Sequence, residues 1–331
     1  MPLSRRERVT LGCMSRESSA PRAPNQRCSG WAEIVECLEA FPPHELATDP
    51  EGATGKAWVF RGLQDSRYEL QPTIEREAQS RATEWPALEV RISREFESRA
   101  RVYLSAPSIP EDELTWLALM QHYAVPTRLL DFSYSPFVAL YFAIRHSRGD
   151  CGRTHVRLWA VDANAVNDRF LSVTGIARAK QRAHHGNPTG GPVNFGDLDF
   201  YGTSRDNTIM ETQGLQKRIA ESLLAVGTYR GQLNRQGCVC VALPPSFNPR
   251  LSSQQGVFLL NFAQGLSFNE SLTKMMGPCG DEWCRSFDVS LDAVSDIERR
   301  LFRRNIHEQS LFPDMDGLAG LIRQKIRLHW K

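Results

Sequence analysis

The segment from Ser135 to Ile144 does most to restrict what this chain can become. Serine followed by Pro136 predicts the start of a helix, because a serine hydroxyl satisfies free backbone N–H groups and proline is tolerated at the first helical position. Val138, Leu140, Tyr141, Phe142 and Ile144 then follow with almost no polar face. A helix that is apolar nearly all round must be buried, so the chain needs a core large enough to enclose it. A length of 331 residues with 41% hydrophobic side chains supplies one.

The surrounding sequence alternates helix and strand patterns. Trp31, Ile34, Val35, Leu38 and Phe41 recur at helical spacing after Ser29, a capping residue, and Pro42-Pro43 closes that helix. Ala57 to Phe60 reads as a buried strand that stops at Arg61-Gly62 and so delivers an arginine to a strand end. Helical stripes cover Glu84 to Leu104 and Glu111 to Tyr123. Val156 to Val161, Val239 to Leu243 and Gly256 to Asn261 read as strands, and Ile219 to Val226, Val289 to Arg304 and Gly317 to Ile326 as helices. Residues 1–29, rich in Arg, Ser and Pro without hydrophobic period, are expected to form a disordered tail. Residues 30–331 form the domain, interrupted by an irregular, Gly-rich insertion at about 168–208.

Basic and acidic residues nearly balance, at a net charge of +2, so no global field favours wrapping nucleic acid or an anionic membrane. No apolar run approaches the roughly 20 residues of a membrane-spanning helix, and the N-terminus lacks a signal-like apolar segment. A cytoplasmic location with no membrane partner is the expectation. The eight cysteines are scattered, which predicts reduced thiols. Neither Cys238/Cys240 nor Cys279/Cys284 has the spacing of a common zinc knuckle, and Cys238 and Cys240 suit a buried strand. The adjacent pair His184-His185 points apart on any regular element and reads as a solvated loop. No metal site is expected.

Three groups could carry chemistry. Phe60-Arg61-Gly62 sets a guanidinium fork beside open backbone, suited to a two-point grip on phosphate or carboxylate; the alternative is an arginine pairing a core-edge carboxylate. Met120 to Pro136 contains Gln121, His122, Tyr123, Thr127, Arg128, Asp131, Ser133 and Ser135, more hydrogen-bonding capacity than a connector needs. Its Asp131 to Ser135 portion precedes a helix N-terminus, where free N–H groups attract anions, although Ser135 itself reads as a cap and Asp131 as a salt-bridge partner of Arg128 or Arg61. Arg250 to Phe258 is polar and leads through Gly256 into a strand, or else is a turn.

Phe60-Arg61-Gly62, the block Met120 to Asp131 and Ala139 to Ala143 resemble the FRG-domain family, and Gln255 to Phe258 and Phe312 to Gly317 resemble its later motifs. The resemblance spans roughly residues 30 to 327. Ala124 stands where the family usually has glycine, which suggests a turn that does not need positive φ. A second similarity is to arginine-type ADP-ribosyltransferases, whose first strand ends in an aromatic-Arg-Gly sequence, whose second carries a serine motif before an Ala-Leu-x-Phe-Ala helix, and whose later strand begins at a catalytic glutamate.

That order implies an α+β fold with a small mixed or antiparallel sheet core and several packed helices, with NAD as cofactor. Arg61, Asp131 and Gln255 would be the catalytic residues, Gln255 taking the glutamate position. Arg61, Gly62, His122, Tyr123, Thr127, Arg128 and Ser133 would bind the nucleotide. A protein or nucleic-acid acceptor, and a role as toxin or defence effector, come with that reading. Glutamine stabilises oxocarbenium-like charge only through its dipole, so the alternative is a non-enzymatic nucleotide- or partner-binding module. A metal-dependent nuclease is disfavoured, because no carboxylates cluster at useful spacing.

Overall fold

The computed structural model describes residues 25–42, 56–145, 152–174, 230–242, 249–280 and 282–328. Their strands form one seven-stranded sheet in the order β1-β7-β4-β2-β3-β6-β5. These are β1 (Asn25–Cys28), β2 (Trp58–Leu63), β3 (Leu129–Ser133), β4 (His155–Asp162), β5 (Val239–Ala242), β6 (Gly256–Asn261) and β7 (Cys284–Ser290). The β1–β7 pair is parallel and the others are antiparallel. The helices are α1 (Trp31–Glu39), α2 (Thr73–Ser80), α3 (Trp85–Ala100), α4 (Glu113–His122), α5 (Pro136–Ile144), α6 (Ala163–Thr174), α7 (Arg230–Gln236), α8 (Pro249–Ser253), α9 (Phe268–Met276), α10 (Val294–Arg303), α11 (Glu308–Leu311) and α12 (Met315–Leu328). This is an α+β architecture, as the sequence predicts.

The sheet has a seam. β2 pairs with β4 over six residues and β3 with β6 over five, yet β2 and β3 meet at the single pair Phe60↔Ser133. Beyond it the two strands diverge, so two smaller sheets share one junction. On one side of the sheet α5 packs with Trp58, Phe60, Leu158 and Phe287; elsewhere a larger core joins Val59 and Leu63 to Leu114, Leu117 and the β3, β5 and β6 strands. The expectation for α5 holds. Ser135 caps it by accepting from the Val138 N–H, Pro136 occupies its first turn, and Val138 to Tyr141, Ala143 and Ile144 are buried.

Several boundaries differ from the sequence reading, for identifiable reasons. Asn25–Cys28 forms strand β1 inside the segment expected to be a tail, its backbone bonds being supplied by β7, 261 residues later at the Asn25↔Ser286 pair. Residues 1–24 lie outside the described residues. β2 runs through Arg61 and Gly62 to Leu63 rather than stopping at the arginine, because β4 continues the ladder opposite them, Arg61↔Trp159 and Gly62↔Leu158. α6 takes up the first residues of the expected insertion, 168–174; the remainder, with His184-His185 and the helix expected at Ile219 to Val226, lies outside the described residues. Val289, expected in a helix, lies in β7, and the helix begins at Val294. Helices α2 and α9 had no counterpart in the sequence reading.

Two further expectations are corrected. Cys279 and Cys284 are joined in a disulfide, whereas the scattered cysteines predicted reduced thiols throughout; the turn between them brings their Cα atoms to 5.3 Å. Ala124 adopts φ +58°, the left-handed conformation that the replacement of glycine by alanine seemed to argue against. The turn after α4 requires it, since the Ala124 and Val125 N–H groups fold back onto the carbonyls of Gln121 and Met120. Cys238 and Cys240 are buried at β5 as expected.

Candidate functional site

A cavity of about 700 Å³ opens where β2 and β3 part. β2 contributes Phe60 to Leu63, β3 contributes Asp131 to Ser133, and α4 contributes Gln121 and His122. Residues between β2 and α2 (Tyr68, Glu69 and Gln71), Arg76 of α2, and Arg250, Leu251 and Gln254 from α8 and the residue after it complete the wall. Three arginines face two carboxylates across it, amid several glutamines and phenylalanines. That size and mixture suit a small, polar, largely desolvated ligand.

Arg61 is the organising residue. Continuing the β2–β3 register would set Gly62 opposite Asp131; instead the Arg61 guanidinium occupies the seam and donates from Nη1 to the Asp131 carbonyl oxygen at 2.5 Å. It also lies 3.9 Å from Asp131 Oδ2, with one fifth of its side chain accessible. Its buried Nε–H has no acceptor among the described residues. Burial pushes its pKa below the usual arginine value, Asp131 opposes that shift and Arg76 adds to it. A guanidinium held this way stays charged yet under-satisfied, which favours an anionic ligand.

Asp131 is positioned by Gln121, whose Nε2 donates to Oδ2 at 2.9 Å. Gln121 is in turn held by the Thr127 hydroxyl, which donates to its Oε1 at 2.6 Å. His122 has a buried Nδ1 without a partner among the described residues. Its pKa is lowered first by burial and then by Arg250, with Asp314 opposing, which favours the neutral imidazole. Ser133 donates to the Gln254 carbonyl at 2.7 Å and accepts from the Ser135 N–H at 3.0 Å. Ser135 in turn accepts from the Val138 N–H at 3.3 Å, so one free N–H of the first turn of α5 is capped from within.

Of the residues singled out from sequence, Arg61, Gly62, His122, Asp131 and Ser133 come together here. Gly62 serves packing: a Cβ added to it would sit 2.0 Å from the Ala139 carbonyl oxygen and 2.6 Å from the Ala143 nitrogen, so its bare Cα lets α5 lie directly on β2. Thr127 is buried and acts through Gln121, and Tyr123 is largely exposed and does not line the cavity. Arg128 is buried in the core. Its guanidinium pairs with Glu89, its backbone N–H donates to the same carboxylate at 2.9 Å, and Trp85 covers it at 5.2 Å. Burial works against that charge, and Glu89 together with Glu113 more than offsets it.

Gln255 does not line the cavity. At φ +47° it forms the exposed turn between α8 and β6, its carbonyl accepting the Tyr134 N–H, and its neighbour Gln254 takes the position facing the site. The sequence reading singled out the Arg250 to Phe258 segment without choosing Arg250 or Gln254 within it, and it did not name Arg76. Arg250 and Gln254 are four residues apart, the spacing of one helical face, and that is the signal that could have selected them.

Residues 56–150 match the family model described as the FRG domain. The chain carries an FRG domain, with Phe60-Arg61-Gly62 and the Gln121 to Ala143 block both inside the match. No curated protein and no solved structure matches the chain. Among the described residues, no helix is long and apolar enough to cross a membrane.

Proposed function

We propose that the cavity at the β2–β3 seam binds a nucleotide through its phosphates, with NAD as the ligand to which Arg61 is matched. The supporting observation is Arg61 itself, a largely buried cation whose Nε–H lacks an acceptor among the described residues and whose nearest carboxylate is 3.9 Å away. Phosphate oxygens would supply the missing acceptors in a charge-assisted, two-point arrangement. Phenylalanines and glutamines in the wall offer a base both stacking surface and amide hydrogen bonds.

Transfer of ADP-ribose from NAD is the enzymatic form of this reading. It rests on Asp131 rather than Gln255, since Asp131 brings a carboxylate into the cavity and Gln255 lies outside it. Asp131 Oδ1 has no hydrogen-bond partner among the described residues, so that oxygen is free to face the ribose carbon from which nicotinamide departs.

Calorimetric titration with NAD tests the binding, and nicotinamide release in the presence of candidate protein or nucleic-acid acceptors tests the transfer. Arg61→Ala is expected to weaken binding by about 2 kcal/mol, the size of a lost charge-assisted pair. Asp131→Asn is expected to retain binding and abolish nicotinamide release. Equal affinity in wild type and Arg61→Ala would remove the nucleotide reading; release surviving in Asp131→Asn would remove the transfer reading alone.

A further inference from the structure

The part of the cavity wall formed by α8 carries an arginine with its own support. The Arg250 guanidinium lies 4.7 Å from the centroid of the Phe312 ring, and the Arg145 guanidinium lies 4.3 Å from the same ring. Arg145 is tied to Glu308 through two bonds of 2.7 and 2.8 Å, which anchors the stack. Gln254, one helical turn beyond Arg250, donates to the Leu311 carbonyl at 3.0 Å and so ties the cavity wall to the Phe312 segment a second time.

Among the described residues, no carboxylate lies within ion-pair distance of Arg250, whereas Arg145 is neutralised by Glu308. A guanidinium resting on an aromatic face keeps its N–H edge available, and the ring limits its rotamers. The cavity therefore presents two separately anchored forks, Arg61 at the sheet seam and Arg250 on α8, with Asp131 close enough to influence both.

We infer that Arg250, positioned by Phe312, is a second phosphate grip, and that the site selects ligands carrying a diphosphate over those carrying a single phosphate. This rests on the nucleotide reading above and adds to it the ligand class and the residue that reads it. Arg250 and Phe312 both lie outside the matched domain 56–150, so the C-terminal part of the chain completes the site. Phe312 acts through Arg250 and is a positioning residue.

The test compares ADP with AMP by calorimetry on the full chain. Wild type is expected to bind ADP about tenfold more tightly than AMP, in line with one added charge-assisted contact. Arg250→Gln and Phe312→Leu should each bring the two affinities to within about twofold by weakening ADP alone, the added contact being the one removed. Phe312→Tyr keeps the ring and should keep the preference. A change in core packing would weaken both ligands together and would not be rescued by tyrosine. Equal wild-type affinities, or proportional loss of ADP and AMP in Arg250→Gln, would overturn the inference while leaving nucleotide binding in place. If neither nucleotide binds wild type, the nucleotide reading fails and this selectivity fails with it.

Discussion

At Ala124 the sequence and the backbone disagree, and the disagreement has a measurable energy. A left-handed φ of +58° crowds the alanine Cβ against its own carbonyl, a contact that glycine lacks. The turn persists because it sets the spacing between Gln121 on α4 and Thr127 before β3, whose 2.6 Å hydrogen bond orients Gln121 toward Asp131. Ala124→Gly is expected to stabilise the protein by about 0.5–1 kcal/mol, the strain removed less the entropy glycine adds to the unfolded chain. Chemical denaturation measures it, and a loss of stability would show that the alanine is not strained. Identity alone could not have revealed this, since alanine is compatible with several turn types and the deciding constraint is where the next strand must begin.

Among the elements, β2 and α5 approach with no room for a side chain between them. Gly62 has no side chain, Ala139 and Ala143 have small ones, and the helix backbone comes within a Cβ contact of the strand. Gly62→Ala would force the new methyl carbon against the Ala139 carbonyl and the Ala143 nitrogen, both backbone atoms that cannot rotate away. The expected cost is about 3 kcal/mol, the upper part of the range for overpacking a core, read as a lowered unfolding midpoint. An unchanged midpoint would mean that α5 can move off the sheet. The α5 pattern and its Ser-Pro start were legible, since a helix without a polar face has one solution. The role of Gly62 was not, because a glycine next to an arginine is equally consistent with ligand access and with helix docking.

Across the whole molecule, Glu75 on α2 reports on the assembly of distant parts. It is 4% exposed, its Oε1 accepts the Phe268 N–H of α9 at 2.8 Å, and its Oε2 has no partner among the described residues. Burial raises its pKa from an ordinary 4.5 to about 8, with the Phe268 bond opposing and Glu270 adding. A carboxyl whose pKa is higher in the folded state binds more proton there, so folding is favoured by protonation. Its contribution is unimpaired below pH 4.5, is lost progressively as pH rises toward 8, and then levels off. Glu75→Gln, which stays neutral, should match wild type near pH 4 and exceed it by at least about 1 kcal/mol near pH 8. Parallel pH dependences of stability in the two proteins would contradict a buried, protonated Glu75.

The sequence by itself determined the segments with short-range signatures. The apolar α5 with its serine cap, the period of α3 and α4, the runs that became β2, β4, β5 and β6 and the polar density of Gln121 to Ser133 all follow from neighbours within a few residues. Arg61, His122, Asp131 and Ser133 were reachable on that basis. Tertiary structure alone decided which charges meet. Arg128 and Asp131 are three residues apart, yet one is neutralised by Glu89 in the core and the other faces the cavity. Gln254 and Gln255 are adjacent, and a single positive φ sends only the first toward the site. Sequence spacing records the order of side chains, but whether each finds a counter-charge, a ring or open space depends on strands and helices brought together from far along the chain.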